Sequence, residues 1–240
     1  MIEFIVEHLP QFLDGALITI QYAAISCVAG FLLAIPLALM RLSSNRAIFW
    51  PGTAYVLFFR GTPLLAQIFL IYYGSGQFRP ALEAVGLWSF FREPSFCALL
   101  SLTLNTTAYT AEILRGAIQG IPRGEIDAAL ATGMSRLQRL VHVILPRAMG
   151  LSWPAYTNEV VYQIQATSLV SIITILDITG VARVIASRNF TFYEAFVTAA
   201  LLYLMIVYAF IFAARRIEAR LHAHLGPSVQ QAGAIRETLR

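Results

Sequence analysis

Charged positions cut this chain into long apolar runs. Residues 15–40 carry no charge and lie between Asp14 and Arg41. Residues 61–78 form a second run, preceded by an apolar lead-in over 47–59 that only Arg60 interrupts. A third run, 94–111, is bounded by Glu93 and Glu112, and a fourth, 148–176, is broken only by Glu159. The fifth, 195–214, is the cleanest. A helix needs about 20 mostly apolar residues to cross the hydrocarbon core of a bilayer. Five transmembrane helices are therefore predicted, the second and third with the least sharply marked ends.

Composition removes the soluble alternative. The 240 residues are 58% hydrophobic and 12% charged, with a mean hydropathy of +0.69, whereas a soluble domain carries about 25% charged residues. Too few polar side chains exist to cover a soluble surface, and disorder, collagen and disulfide scaffolds fail on the same numbers. An all-α integral membrane protein is what remains. All 17 basic residues are Arg. Without Lys the chain holds neither a Walker A phosphate loop, which ends in Gly-Lys-Ser/Thr, nor a Schiff-base lysine. The excess of basic residues reads as cytoplasmic loops rather than nucleic-acid binding. Cys27 and Cys97 both fall in apolar runs, as free thiols packed like small hydrophobes do.

With five spans the termini lie on opposite faces. One face holds Arg79, Arg92, Arg183 and Arg188 and an N-terminal segment without Arg. The other holds Arg41, Arg46, Arg60, Arg115, Arg123, Arg136, Arg139, Arg147, Arg215, Arg216, Arg220, Arg236 and Arg240. The basic face is cytoplasmic, so the N-terminus is expected outside and the C-terminus inside. Residues 1–14 carry Glu3, Glu7 and Asp14 and no basic residue, unlike a cleaved signal peptide.

The stretch from Glu112 to Arg147 is long for a loop and carries helix signals. Pro122 is placed to start a helix, Glu125, Ile126, Ala128 and Ala129 continue it, and Gly133 stops it. Ser135 then caps a second helix, 136–145, which Pro146 ends. Its Leu137, Leu140, Val141 and Ile144 share one face. Three readings stand: a DNA-reading helix-turn-helix, poorly placed between membrane spans; an interfacial anchor; and a rigid projection that docks a soluble partner.

Asp127-Ala128-Ala129, three residues, Gly133, nine residues, then Val143-Ile144-Leu145-Pro146 resembles the EAA loop of ABC importer permeases, with Asp127 in place of the usual Glu. Asn105, Ala108-Tyr109, Ala111-Glu112, Arg115-Gly116 and Pro122-x-Gly124 resemble the signature of the polar amino acid uptake permeases. So do Phe59-Arg60-Gly61-Thr62-Pro63 and Pro154-Ala155-Tyr156-Thr157-Asn158-Glu159. Glu125 stands where that family often has Gln. The similarity covers about residues 10–220 and is greatest to the histidine, arginine and opine branch. It implies a type I ABC importer permease in a bacterial inner membrane, with a periplasmic N-terminus and a cytoplasmic C-terminus. The permease domain would be 1–220, and the polar tail 221–240 is expected to be disordered.

The resemblance further implies that this chain binds no cofactor, ATP and Mg belonging to a separate ABC ATPase dimer. Asp127, Ala128, Ala129, Gly133, Leu145 and Pro146 would form the loop that couples to it. A second homologous permease chain, identical or different, and a periplasmic amino-acid-binding protein would complete the assembly in membrane lipid, with no nucleic acid involved. The substrate would be a polar, cationic amino acid or an opine. An ion-gradient-driven transporter or channel, or a membrane scaffold, would also have several spans but would not need the structured loop. An intramembrane zinc protease would need His-Glu-x-x-His, which the chain lacks; His8, His142, His222 and His224 are expected at the surface.

Glu159 is the strongest individual signal. It lies twelve residues from Arg147, roughly 18 Å along a helix and near the middle of a core about 30 Å thick. An ionised carboxylate there costs about 2.5–3.5 kcal/mol or more, so it must face a polar interior or a partner. Ser152, Tyr156, Gln163 and Thr167 share its face, and Asn105 reaches the same depth from the other side with Ser101 and Tyr109. Either these groups form a hydrogen-bond network between helices, or they bind substrate, Glu159 taking a cationic group while Asn105 and Gln163 orient the ligand and Tyr156 and Gln67 contribute. Glu112 is expected to pair with Arg115.

Overall fold

The computed structural model describes residues 1–224, every element of which is a helix or a turn. Helix α1, Ile2–Arg41, has 40 residues and at 1.5 Å per residue is about 60 Å long. It starts a dozen or so residues ahead of the apolar run, because the acidic N-terminal segment is helical too. His8 consequently departs from its expected surface position. It is buried, edge-on to Phe4 at 4.6 Å and 3.4 Å from the Asn189 amide.

Helix α2, Arg46–Gly61, is capped by Asn45, whose side chain accepts from Ala47 N–H. It turns by 105° into the helical stretch that begins with α3, Leu64–Tyr72. The break has a local cause. Pro63 disfavours helical geometry at the residue before it, and Thr62 is extended at φ −116°, ψ 145°. The helical stretch of the second span thus begins at Arg46 rather than Gly61, and Arg60 stands at the break, within electrostatic reach of Arg41.

A 3-10 turn, Gly74–Phe78, and the short helices α4, Arg79–Ala84, and α5, Trp88–Phe91, lead to α6, Pro94–Gln119. Helix α6 is the central column, packing against α1, α2, α3 and α9. Its buried positions include Ser101, Asn105, Thr106, Thr107 and Thr110. By length and apolarity α1 and α11 qualify alone as spans, and two bent helix pairs qualify together. Helix α6 is long enough but more polar: Asn105 and Thr106 bond to neighbouring helices, while Ser101 and Thr107 donate to carbonyls of α6 itself.

The loop contains α7, Arg123–Ala131, and α8, Arg136–Arg139. Gly133 between them adopts φ +76°, the left-handed turn that glycine permits. Ser135 and Gln138 form a reciprocal capping box. Pro146 does not end the helix that follows. Leu140–Ile144 widens into a π turn in which Leu145 N–H donates to Leu140 O, and Pro146 sits in the first turn of α9, Leu145–Ala166. A proline there costs little because its missing N–H belongs to the register shift.

A 3-10 segment, Thr167–Ile173, follows α9, then α10, Ile178–Asn189, and α11, Phe192–His224. The end of α11 runs past residue 220, and residues 225–240 of the tail lie outside the described residues. Helix α1 contributes to every buried apolar cluster: Phe12 against α10 and α11, Tyr22 against α3 and α6, Ala34 and Leu37 against α2 and α6. Trp153 of α9 donates to Ala214 O of α11 at 3.2 Å.

Candidate functional site

Glu159 is 7% exposed on the side of α9 that meets α6. Thr106 Oγ1 donates to its Oε1 at 2.9 Å, its other oxygen accepts no hydrogen bond, and no cation lies within ion-pair distance among the described residues. Arg60 at the α2–α3 break lies within electrostatic reach of Glu159. The Arg60 guanidinium stacks on Tyr109 at 5.1 Å, and Tyr109 lies 6.1 Å from Tyr162. Two opposite charges and two aromatic rings thus share one level of the spans.

Asn105 and Gln67 come together beneath the break. Asn105 Nδ2 donates to Phe59 O at 3.2 Å and to Gln67 Oε1 at 3.0 Å. Gln67 Nε2 in turn donates to Phe59 O, Thr62 O and Thr62 Oγ1. These amides satisfy the carbonyls that the interrupted helix leaves open. Gln163 is fully buried and ties three helices, donating to Ser26 Oγ at 2.9 Å and Leu102 O at 3.2 Å. Asn105 Oδ1 and Gln163 Oε1 remain without a hydrogen-bond partner. Tyr156 turns toward α1, donating to Cys27 O at 3.4 Å, and lines an apolar groove between α1, α9 and α11. Of the residues the sequence singles out, Glu159 keeps the most unused polar capacity.

Two residues of the cluster were not legible as members. Thr106 follows Asn105 and faces α9 rather than α2. Arg60 reads from charge spacing alone as a boundary residue; the signal for a helix break beside it is the Gly-Thr-Pro that follows, where α2 ends fifteen residues after Arg46.

In the loop, Ala129 is buried while Asp127, Ala128, Gly133 and Pro146 are exposed and Leu145 is half-buried. Leu130, Leu137 and Val141 leave apolar surface open at 51%, 70% and 47% exposure. Glu125 accepts from Arg147 at 2.8 Å, tying α7 to the start of α9. Glu112 pairs with Arg115 as its spacing foretold, at 2.5 and 3.0 Å, and also with Arg41 of α1.

Residues 28–223 match the family of binding-protein-dependent transport system inner membrane components. The chain is 48% identical over 207 residues to the nopaline transport system permease protein NocM of Agrobacterium fabrum, covering 86% of each. It is 43% identical to the octopine transport system permease protein OccM of Rhizobium meliloti, covering 84% of this chain and 82% of that one. With the histidine/lysine/arginine/ornithine transport system permease protein HisM of Escherichia coli it shares 41% identity, covering 89% and 90%. Among solved structures, an amino acid ABC transporter crystallised with histidines is similar at a TM-score of 0.77 and 31% identity, covering 90% of this chain and 96% of that one. The MetNI methionine ABC transporter shares the fold at a TM-score of 0.72 and 20% identity, covering 90% and 98%. With the match extending over most of its length, the chain belongs to the binding-protein-dependent transport system inner membrane components and is a transporter permease subunit, not an enzyme.

Proposed function

We propose that this permease belongs to an ATP-driven importer of polar, cationic amino acids or opines and that Glu159 receives the cationic group of the substrate. The observation that carries the reading is a buried carboxylate at mid-span with one oxygen unpaired and no counter-ion in contact. Desolvation makes such a group expensive, and an arriving ammonium or guanidinium offsets that cost. NocM, OccM and HisM are named for nopaline, octopine and the basic amino acids, all of which carry such a group. Asn105, Gln67 and Gln163 hold the helices that frame the site and offer two unpaired carbonyl oxygens. Tyr156 shapes the wall behind Glu159.

Energy comes from a separate ATPase dimer that holds ATP and Mg and docks on the loop from Pro122 to Pro146. The exposed Leu130, Leu137 and Val141 beside Asp127 support this, since apolar side chains on an aqueous face call for a covering partner. The exposed Arg60, Asn158 and Gln165 at the level of the spans are too polar for lipid, which supports a second permease chain across a polar path. A soluble binding protein delivers substrate at the periplasmic side of a bacterial inner membrane, where the N-terminus lies; the C-terminus is cytoplasmic.

Uptake of labelled arginine by proteoliposomes containing the assembled transporter tests the reading. Glu159→Gln and Glu159→Ala should reduce uptake of cationic substrates at least tenfold while the ATPase stays bound. Asp127→Lys should lower uptake with the complex inserted. Wild-type rates in both Glu159 variants for every cationic amino acid tried would overturn the site; ATP-independent uptake driven by an ion gradient would overturn the importer.

A further inference from the structure

We infer that the apolar groove between α1, α9 and α11 is a site for an acyl chain of an anionic phospholipid, whose phosphate is held by Arg216 at the basic end of α11.

The groove itself is the starting observation. It has a volume of about 490 Å³ and is lined by Ala24, Val28, Trp153, Val160, Ile206 and Phe210 among others. Toward Met149 it continues into a second hollow of about 270 Å³ that shares Val28, Trp153 and Tyr156. Along α1 the two run from Ile20 to Leu32, about 18 Å, close to the depth of one leaflet of a core about 30 Å thick. The hydroxyls and the indole N–H on the wall are already engaged. Thr157 Oγ1 donates to Trp153 O, Tyr156 OH to Cys27 O, Ser152 Oγ to Met149 O and Trp153 Nε1 to Ala214 O. A water molecule there would find too few partners, and an empty hollow would forfeit dispersion contacts. A hydrocarbon chain supplies those contacts and asks for no hydrogen bond.

The rotation of α9 separates this groove from the polar surface of the chain. At about 100° per residue, Trp153, Tyr156, Val160 and Ile164 fall on one side of α9, and the exposed Asn158, Tyr162 and Gln165 fall on the opposite side. The polar side is the one assigned above to a second permease chain. The groove side is rimmed by Val28 and Leu32, 62% and 63% exposed, and faces the bilayer.

Charge at one end selects the headgroup. Ala209 lines the groove, and Phe212 and Arg216 follow it at i+3 and i+7 on the same face of α11. The exposed Arg216 guanidinium lies over the Phe212 ring at 4.1 Å and forms no ion pair among the described residues. Stacking leaves its planar N–H fork open at the edge, the geometry that suits a phosphate. Arg215 adds positive charge beside it, whereas Glu218 lies two residues on, about 200° around the helix. Arg41 and Arg147, at the ends of α1 and α9 nearest this level, are held by Glu112 and Glu125. A basic boundary above an apolar cleft between spans is the arrangement that retains anionic lipid.

Quenching of Trp153 fluorescence by brominated acyl chains tests the site. The assembled transporter in neutral detergent is titrated with dibrominated phosphatidylglycerol or phosphatidylcholine, and subtraction of a Trp153→Phe complex isolates the Trp153 signal. Phosphatidylglycerol should quench at a mole fraction about fivefold lower than phosphatidylcholine. Arg216→Gln should remove that preference and leave phosphatidylcholine unchanged. Ala24→Phe fills the groove from an exposed position of α1 and should weaken quenching by both lipids several-fold. Ala209→Phe does the same from α11 should Ala24→Phe fail to assemble. Equal quenching by the two lipids in the wild type, or a preference that survives Arg216→Gln, would overturn the assignment of the phosphate to Arg216. Quenching that neither filling variant reduces would show bromine reaching Trp153 from bulk lipid, and no quenching at all would give the groove to a protein neighbour; either result would overturn the acyl-chain site.

Discussion

Gly30→Ala is a one-carbon test of how the Glu159 environment is built. A Cβ on Gly30 of α1 would lie 2.5 Å from Thr106 Cγ2 and 3.4 Å from Thr107 N on α6. Carbon atoms prefer about 3.5–4.0 Å, so roughly an ångström must be recovered. Two routes exist. Thr106 can rotate, but it is 1% exposed, β-branched and stiff, and rotation takes its hydroxyl off Glu159. Otherwise α1 and α6 separate, and their shared interface loses part of its dispersion energy. Overpacking of this kind costs about 1–3 kcal/mol.

The remedy distinguishes the routes from a general weakness of α1. Thr106→Ser removes the clashing methyl and keeps the hydroxyl on Glu159, so the Gly30→Ala/Thr106→Ser double variant should recover most of the loss. Unfolding titrations in mixed micelles read stability, and arginine uptake in proteoliposomes reads the site. The single variant should be destabilised and slow. A Gly30→Ala protein within about 0.5 kcal/mol of wild type, or one that Thr106→Ser fails to rescue, would refute the close approach of these helices as the determinant.

At Gly133, φ is +76° and a Cβ would meet nothing within 4 Å, so Gly133→Ala should cost only the backbone penalty of about 1–2 kcal/mol, read by the same titration. Gly180→Ala should be worse, because its Cβ would lie 2.3 Å from the backbone oxygen of Ile175; failure to fold is the expected result, and normal expression would count against so close an approach at this turn. Phe190 is 84% exposed at φ 55°, and Phe190→Gly should stabilise the end of α10 by about 1 kcal/mol. The purified chain alone should hydrolyse no ATP, since it has no lysine for a Walker A loop; turnover by the clean subunit would contradict its role.

Charge spacing was enough to find α1, α6, α9 and α11, because an uncharged run between charged ends is what a bilayer demands. It misplaced the start of the second span, since the same rule treats every Arg as a boundary and Arg60 falls inside a helix, one residue before the end of α2. That Asn105 and Glu159 lie deep in their helices was legible from rise per residue alone. Their hydrogen-bond partners were not, because Thr106 and Ser26 are chosen by how helices rotate against one another, and a single sequence does not encode that rotation visibly. Gln67 illustrates the difference: its polarity marked it as important, while its contacts to Thr62 and Phe59 show that it secures a broken helix. Pro146 failed in the opposite direction, a helix-stop residue absorbed by a π turn.

That π turn bears on how motion could pass between loop and site. Arg136 to Ile173 forms one helical body, so the exposed Leu137 and Val141 and the buried Glu159 ride on the same rod. A separate lever linked to the span by a flexible joint would dissipate a push; a continuous helix carries it as rigid-body movement. The Glu125–Arg147 pair ties α7 to the first turn of α9. With side-chain exposures of 34% and 15%, this pair contributes no more than about 1 kcal/mol to stability. Its loss should therefore show in coupling rather than in folding. Glu125→Gln keeps the shape and removes the charge, and should lower arginine imported per ATP hydrolysed about twofold or more with unfolding unchanged within 0.5 kcal/mol. An unchanged transport-to-hydrolysis ratio would mean that α7 transmits its load through Ala129 and the backbone alone, and that the ion pair is incidental.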